Sequence, residues 1–168
     1  QWLHVSGITL ALSETAARAA MLAAEKAQAA GVTVSCDLNF RKNLWRWRPG
    51  TDACSLARSI MPDFLEQVNV VIGNEEDAAD VLDIHAGETD VDAGSLQIDR
   101  YPEVARHIAS RFSKVRSVAI TLRESISATH NNWGAMLYDV PSDTAAFAPM
   151  NGDEYQPYEI RDIVDRVG

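Results

Sequence analysis

Hydrophobic and polar residues alternate along the chain in blocks that predict strands and helices in turn. The segment WLHVSG at residues 2–7 is short, apolar and closed by a glycine, which is typical of a buried strand. A helix of about 17 residues is expected next, because Ser13 can cap its start, alanines fill it and Gly31 can end it. Residues 32–38 are β-branched and mostly apolar, the composition of a central strand. Together these elements form one strand, helix, strand unit.

The same block pattern repeats along the middle of the chain. Helices are predicted at residues 51–65, 74–82 and 101–113, and strands at residues 68–74 and 117–123. The acidic segment at residues 85–99 is weakly patterned and carries no element prediction. Since strands alternate with helices, right-handed crossovers are expected to build an α/β fold with a doubly wound, mainly parallel sheet and helices on both faces.

The pattern changes after Arg123. The segment NWGAMLYDV at residues 132–140 has the composition of a strand, and no long amphipathic helix follows it before Met150. This arrangement favours an antiparallel hairpin at the edge of the sheet. The segment YEIRDIVDRVG at residues 158–168 predicts a further strand that runs into a glycine.

Composition limits the classes of function that fit the chain. Its 168 residues, 46% of them hydrophobic, are enough to bury one sizeable core, so a single domain over residues 1–168 is expected. With 15 basic and 24 acidic residues the formal net charge is −9, which repels nucleic acid and anionic membranes. No run of Lys and Arg offsets that charge. Neither nucleic acid nor a membrane is therefore an expected partner.

Cysteine usage and hydropathy indicate the compartment. Cys36 and Cys54 have none of the CxxC or Cys/His spacings of a zinc site, so they are predicted to be reduced, buried thiols. No apolar run approaches the roughly 18 residues of a membrane span, and the first residues do not resemble a signal peptide. A cytoplasmic location is the simplest expectation.

Polar residues that follow the predicted strands are the candidates for chemistry, because ligands of open parallel sheets bind at the carboxyl ends of the strands. In the segment DLNFR, Asp37, Asn39 and Arg41 occupy alternate positions directly after the second strand. An arginine there can clamp a carboxylate or phosphate with two parallel hydrogen bonds. The alternative is an ordinary loop, in which Asp and Asn cap backbone amides and Arg forms a surface ion pair. The position of DLNFR at a strand end favours a ligand-binding site, but it does not exclude an ordinary loop.

Other strand ends allow the same two interpretations. Asn74 and the acids after it can be a helix start, with Asp77 completing a capping box. The segment TLRES at residues 121–125 can be a strand leaving the sheet. The four histidines have no metal-ligand spacing, and the sequence lacks GxGxxG, Walker and GxSxG motifs. Classical dinucleotide binding, P-loop phosphate binding and serine hydrolysis therefore lose their usual support.

An ordered set of segments carries a family resemblance: SGITLALSE, DLNFRKNLW, GNEEDA, VAITLRESISA and IVDRVG. Together they resemble the PfkB, or ribokinase-like, sugar kinases, and most closely the 2-keto-3-deoxygluconate kinases among them. DLNFRKNLW is the most specific segment, because ribokinase-like enzymes in general do not require its arginine. The resemblance covers essentially the whole chain and implies a partial domain, the middle of such a kinase without its β lid.

The resemblance implies roles for individual residues. Arg41 matches the arginine that meets the carboxylate of the sugar acid near the transferred phosphate. Asn39 matches the asparagine that faces the nucleotide phosphates. Asn74 begins the segment that corresponds to the family's Asn-x-x-Glu, which helps to place magnesium and phosphate. Its fourth position is Asp77 here, a shorter carboxylate assigned to metal.

Later segments complete the implied site. The family's nucleotide-binding segment matches Thr121, Arg123, Ser125 and Ser127. Asp165 matches an aspartate that belongs to a monovalent cation site in several members. Gly168 matches the first glycine of the turn that contacts the phosphate and carries the catalytic base. That base is expected beyond Gly168, so no catalytic residue is assigned within the chain.

The activity implied for the whole protein is ATP- and Mg²⁺-dependent phosphorylation of a sugar acid, with 2-keto-3-deoxygluconate as the expected substrate. The chain by itself is expected to be inactive, and the resemblance also allows a homo-oligomer. Three alternatives stay open: a non-catalytic nucleotide- or sugar-binding module on the same scaffold, a PfkB kinase for a neutral sugar, and an unrelated Rossmann-like enzyme. The last requires that Asn39, Arg41, Asn74 and Thr121 fail to converge at one sheet edge.

Overall fold

A computed structural model of the chain describes residues 1–85, 100–127 and 129–162. The predicted roles of Asp165 and Gly168 fall outside these residues, as does most of the acidic segment at residues 85–99. None of the described helices combines the length and the apolar character needed to cross a membrane. Both thiols are free, as the sequence predicts; Cys36 is buried as predicted, whereas Cys54 is only half-buried.

The first unit contains one more helix than the sequence predicts. Its elements are β1 (Trp2–Ser6), α1 (Gly7–Leu12), α2 (Glu14–Ala29) and β2 (Thr33–Asp37). Ser13 separates the two helices: its extended backbone, at φ −169°, ends α1, and its side chain accepts a hydrogen bond from the Ala16 amide at 3.1 Å. Gly31, at φ +69°, reverses the chain after α2. The cap and stop of the long helix are confirmed, whereas Gly7 opens a short helix instead of ending the strand.

The middle units follow the predicted order. Their elements are α3 (Ala53–Leu65), β3 (Val70–Gly73), α4 (Glu75–Leu82) and α5 (Tyr101–Arg111). Asp52 caps α3 by accepting from the Ser55 amide at 3.0 Å. Asn74 caps α4 by accepting from the Asp77 amide at 2.7 Å. These capping bonds satisfy amides that would otherwise lack a partner at the helix start.

From Ser117 to Ile160 the described residues form strands joined by turns and short loops. Its strands are β4 (Ser117–Ser127), β5 (His130–Asp139), β6 (Thr144–Ala148), β7 (Met150–Asn151), β8 (Glu154–Tyr155) and β9 (Tyr158–Ile160). The sequence predicts that β4 ends at Arg123, but it continues to Ser127 because β5 pairs with it along that extra length. The strand predicted from residue 158 onward is short in the described residues, where β9 pairs with β5 at Asn131–Trp133.

The sheet has the order β1-β2-β3-β4-β5-β6, with β9 also paired to β5. β1 to β4 are parallel to one another, and β5 runs antiparallel to β4 and β6. β7 and β8 form a separate antiparallel pair. The predicted α/β class, parallel sheet and antiparallel hairpin are confirmed.

The described helices cover one face of this sheet. Because the parallel strands follow one another in chain order, right-handed crossovers place every connecting helix on the same side. Cys36, Val71 and Val118 are aligned across the strands on that side and are buried. On the other face His4 and Thr121 are exposed. The sequence predicts helices on both faces, and within the described residues that second face is uncovered, because a change in strand order is needed to reverse the crossovers.

Candidate functional site

The segment after β2 is held between the ends of its two neighbouring strands. The Leu38 amide donates to the Ile72 carbonyl at 2.8 Å, and the Leu38 side chain is buried. A Cβ atom on Gly7 would overlap the Leu38 carbonyl oxygen, and one on Gly73 would lie 3.0 Å from Leu38 Cδ1. Gly7, at the start of α1, and Gly73, at the end of β3, therefore give the DLNFR segment the space to cross the carboxyl edge of the sheet.

Asn39 occupies a backbone conformation that few residues adopt. Its φ is +37°, a value that Asn tolerates better than most non-glycine residues. Its side-chain amide donates to Ser6 Oγ at 3.3 Å. Ser6 Oγ also accepts from the Ile8 amide at 3.3 Å at the start of α1. Asn39 therefore links the β2 end to the β1 end.

Substitutions at Asn39 separate the backbone effect from the side-chain effect. Asn39→Ala is expected to lower the free energy of unfolding by about 1–2 kcal/mol, because alanine is strained at positive φ. Asn39→Gly is expected to lose less, since glycine adopts positive φ without strain. Both variants lose the hydrogen bond to Ser6. Urea unfolding of both proteins measures the difference, and an alanine variant as stable as the glycine variant would contradict the backbone explanation.

Asp77 connects α4 to the same segment. Its carboxylate accepts from the Phe40 amide at 2.9 Å, and only 8% of the residue is exposed. Burial raises the pKa of Asp77, while the Phe40 and Asn74 backbone amides favour the ionised form. One carboxylate oxygen of the predicted metal residue is thus already bonded to the residue between Asn39 and Arg41.

Asp37 places a second carboxylate near Asp77. Desolvation raises the pKa of Asp37, against the lowering effects of His4, the Asn39 amide and Arg41. The charge of Asp37 in turn raises the pKa of Asp77, and Arg41 lowers it. The Arg41 side chain is exposed and donates to the Phe40 carbonyl at 3.3 Å. Two carboxylates and a guanidinium therefore interact at the carboxyl end of β2.

The β4 residues extend this edge. Thr121 Oγ1 is 3.5 Å from the Gly73 carbonyl, next to Asn74. Arg123, Ser125 and Ser127 lie farther out on β4, within the strand and not in a loop after it. The structure thus brings Asn39, Arg41, Asn74, Asp77 and Thr121 to one edge, with the other three on the extension of the hairpin. The condition set for an unrelated Rossmann-like enzyme is not met.

The sequence does not predict two residues of β5 that lie against Arg123. Trp133 of β5 lies opposite Arg123, whose guanidinium carbon is 5.3 Å from the ring centroid. Asn131, 2% exposed, faces Arg123 and Ser125 from the same strand. They lie two positions apart on β5 and therefore on one face of the strand, but only the register with β4 shows what they face.

Solved structures that are similar to this chain include carbohydrate kinases. Comparison with protein-family profiles finds no match. The crystal structure of 2-dehydro-3-deoxygluconokinase from Thermotoga maritima is 36% identical with a TM-score of 0.77, over 99% of this chain and 43% of that chain. A PfkB family carbohydrate kinase from Listeria grayi is 25% identical with a TM-score of 0.75, over 100% of this chain and 43% of that chain.

A curated relative is also named as a kinase. The 2-dehydro-3-deoxygalactonokinase of Haloferax volcanii is 32% identical over 138 residues, which are 82% of this chain and 36% of that protein. The chain therefore spans less than half the length of the relatives it matches.

Proposed function

Because this chain belongs to the PfkB family of carbohydrate kinases, we propose that the whole protein transfers the γ-phosphoryl group of ATP to a sugar acid, 2-keto-3-deoxygluconate. The observation that carries the proposal is the held DLNFR segment, which presents Arg41 at the sheet edge beside Asn39 and Asp77. A guanidinium fork suits a carboxylate better than a neutral hydroxyl. A sugar acid is therefore favoured over ribose or fructose.

In this proposal the sugar acid and the nucleotide bind to different residues along the carboxyl edge of the sheet. Arg41 meets the carboxylate of the sugar acid. Asn39, Asn74 and Thr121 face the nucleotide phosphates, with Arg123, Ser125 and Ser127 along the rest of the nucleotide. The base that deprotonates the attacking hydroxyl comes from beyond residue 168, next to Gly168, and Asp165 contributes to a monovalent cation site.

The two carboxylates at this edge of the sheet are suited to binding a magnesium ion. It is bound in kinases by one or two carboxylates together with the substrate phosphates. Asp37 and Asp77 supply oxygen donors whose mutual repulsion a divalent cation would relieve. Among the described residues no three His, Cys, Asp or Glu side chains are grouped to hold a metal without the phosphates. Bound magnesium would neutralise the phosphate charge during transfer.

A second substrate is favoured by one of the comparisons. The Haloferax volcanii relative is named for 2-dehydro-3-deoxygalactonate, the C4 epimer of the gluconate compound. Both share the carboxylate and the keto group, so Arg41 would recognise either. Contacts to the C4 hydroxyl must distinguish them.

A phosphorylation assay on the whole protein tests the proposal. With ATP and Mg²⁺ we expect 2-keto-3-deoxygluconate to be phosphorylated with a kcat/KM far above that for ribose or fructose, as measured by ADP release. Equal or greater activity toward a neutral sugar would contradict the sugar-acid assignment. Residues 1–168 alone are expected to give no turnover, and robust turnover by them would contradict a base located outside the chain.

A further inference from the structure

Helix α4 connects the candidate site to contacts at its other end. At its amino end Asn74 accepts from the Asp77 amide at 2.7 Å, and the Asp77 carboxylate accepts from the Phe40 amide at 2.9 Å. The helix has eight residues, so its carboxyl end lies about 12 Å from its amino end. The last carbonyls of a helix lack partners within it, so their partners must come from other groups.

The chain leaves α4 through a residue in the left-handed region, which is a common way for a helix to end. Asp83 has a φ of +58°, and its amide donates to the Ala79 carbonyl at 3.1 Å. The Ile84 amide donates to the Ala78 carbonyl at 3.3 Å. The carbonyls of Asp80 and Leu82 are bound by side chains of the neighbouring helices.

Arg58 of α3 binds the last turn of α4. Its Nε donates to the Asp80 carbonyl at 2.9 Å, and its Nη2 donates to the Ala79 carbonyl at 2.8 Å. Its Nη1 lies 2.9 Å from Asp83 Oδ1. All three guanidinium nitrogens are therefore engaged at one helix end, where a positive charge also interacts favourably with the helix dipole. A lysine ammonium cannot reproduce this planar arrangement of donors.

A second arginine holds the same end of α4 from α5. Arg111 Nη1 donates to the Leu82 carbonyl at 2.7 Å. The ion pair between Arg58 and Asp83 is exposed, with 40% and 64% of the two side chains accessible, so it contributes little by itself. The bonds from the arginines to the carbonyls are therefore the contacts that fix the position of α4.

We propose that Arg58 is a positioning residue for phosphoryl transfer. By holding the carboxyl end of α4 it keeps Asp77 against the Phe40 amide, and this bond fixes the segment that presents Asn39 and Arg41. A short helix moves as one body, and a displacement of about 1 Å in a reacting geometry can lower a rate about 100-fold. This inference rests on the proposed kinase function.

Steady-state kinetics of the whole protein with 2-keto-3-deoxygluconate give the first test. Arg58→Ala is expected to lower kcat/KM about tenfold, and Arg58→Lys should recover part of that loss. Asp83→Asn removes only the ion pair and keeps a side chain that tolerates positive φ, so kcat/KM should stay within about twofold of the parent. Arg106→Ala is the matched control, since Arg106 Nε lies 2.8 Å from Asp143 Oδ1 in an exposed pair that joins α5 to the turn after β5. It should also leave kcat/KM within about twofold.

Hydrogen exchange of the Phe40 amide tests the positioning without any substrate. Because Asp77 is the acceptor of this amide, Arg58→Ala should speed its exchange more than Arg106→Ala does. A double variant tests the path through Asp77. Once Asp77→Ala has removed the bond to Phe40, adding Arg58→Ala should lower kcat/KM by less than about twofold more.

Four results would overturn the inference. They are a kcat/KM of folded Arg58→Ala within twofold of the parent, an equal loss in Arg106→Ala or Asp83→Asn, an equal rise in Phe40 exchange in Arg58→Ala and Arg106→Ala, and a further tenfold loss in the double variant. If Arg58→Ala does not fold, Arg58→Lys is used for the same comparisons. A whole protein that phosphorylates no sugar, but whose Phe40 exchange rises selectively in Arg58→Ala, would refute the proposed function while supporting the effect of Arg58 on Asp77.

Discussion

Arg41→Ala is expected to lower kcat/KM of the whole protein for 2-keto-3-deoxygluconate by about 10- to 100-fold, since hydrogen bonds to a charged group contribute about 1.5–3 kcal/mol. The loss should be confined to substrates with a carboxylate. Arg41 is exposed and bonds to the Phe40 carbonyl, so the free energy of unfolding should change little. Steady-state kinetics with the sugar acid and with ribose measure both effects.

Two further variants control for charge alone. Arg41→Lys keeps the positive charge but loses the planar fork, so it should recover only part of the lost activity. Lys42→Ala removes an exposed cation at the next position and should leave kcat/KM unchanged. Unchanged sugar-acid kinetics in Arg41→Ala would refute the assigned role of the arginine.

Asp77→Ala is expected to lower the free energy of unfolding by about 1–3 kcal/mol, because the Phe40 amide loses its acceptor in a buried position. Activity should fall too, since the same bond holds the segment that carries Asn39 and Arg41. Asp77→Asn keeps an oxygen for Phe40 and removes the buried charge, so its losses should be smaller. Denaturant unfolding and steady-state kinetics of the parent, Asp77→Asn and Asp77→Ala should show stability and activity decreasing in that order.

The pH dependence of the Asn variant gives an independent readout. Burial raises the pKa of Asp77 above its ordinary value of 3.8, so the folded state binds the proton more tightly than the unfolded state. The stabilisation from that proton is fully present below pH 3.8 and is lost as pH rises through the folded pKa. Relative to the parent, Asp77→Asn should therefore gain stability as pH rises through this window. A stability difference that does not change with pH, or an Asp77→Ala protein as stable as the parent, would contradict this account.

Local signals in the sequence account for most of the elements. Ser13 and Gly31 mark the ends of α2, and Asn74 marks the start of α4, because capping and positive φ are local requirements. The sequence does not predict helix α1, since its six residues are too few for a helical period to stand out from the adjoining apolar strand. It does not predict the full length of β4 either, because the polar outer half of β4 is supported by pairing with β5, which only the register shows.

Candidate site residues could be predicted, but their contacts could not. Asn39, Arg41 and Asn74 follow strands, and Thr121 lies in β4 directly after its last pair with β3, so parallel topology brings them to one edge. The bond from Asp77 to Phe40 joins residues 37 positions apart and depends on how α4 packs against the β2 end. The uncovered second face likewise follows from the order of the strands, which composition does not specify.

The most direct test of the central claim is a double-mutant cycle between the protein and its substrate. It compares kcat/KM of the parent and Arg41→Ala for 2-keto-3-deoxygluconate and for an analogue whose carboxylate is replaced by a carboxamide. If Arg41 meets the carboxylate, the two changes should not add: once one partner is removed, removing the other should cost little. Two large, fully additive losses would show that Arg41 and the carboxylate act separately, which would contradict the proposed sugar-acid site.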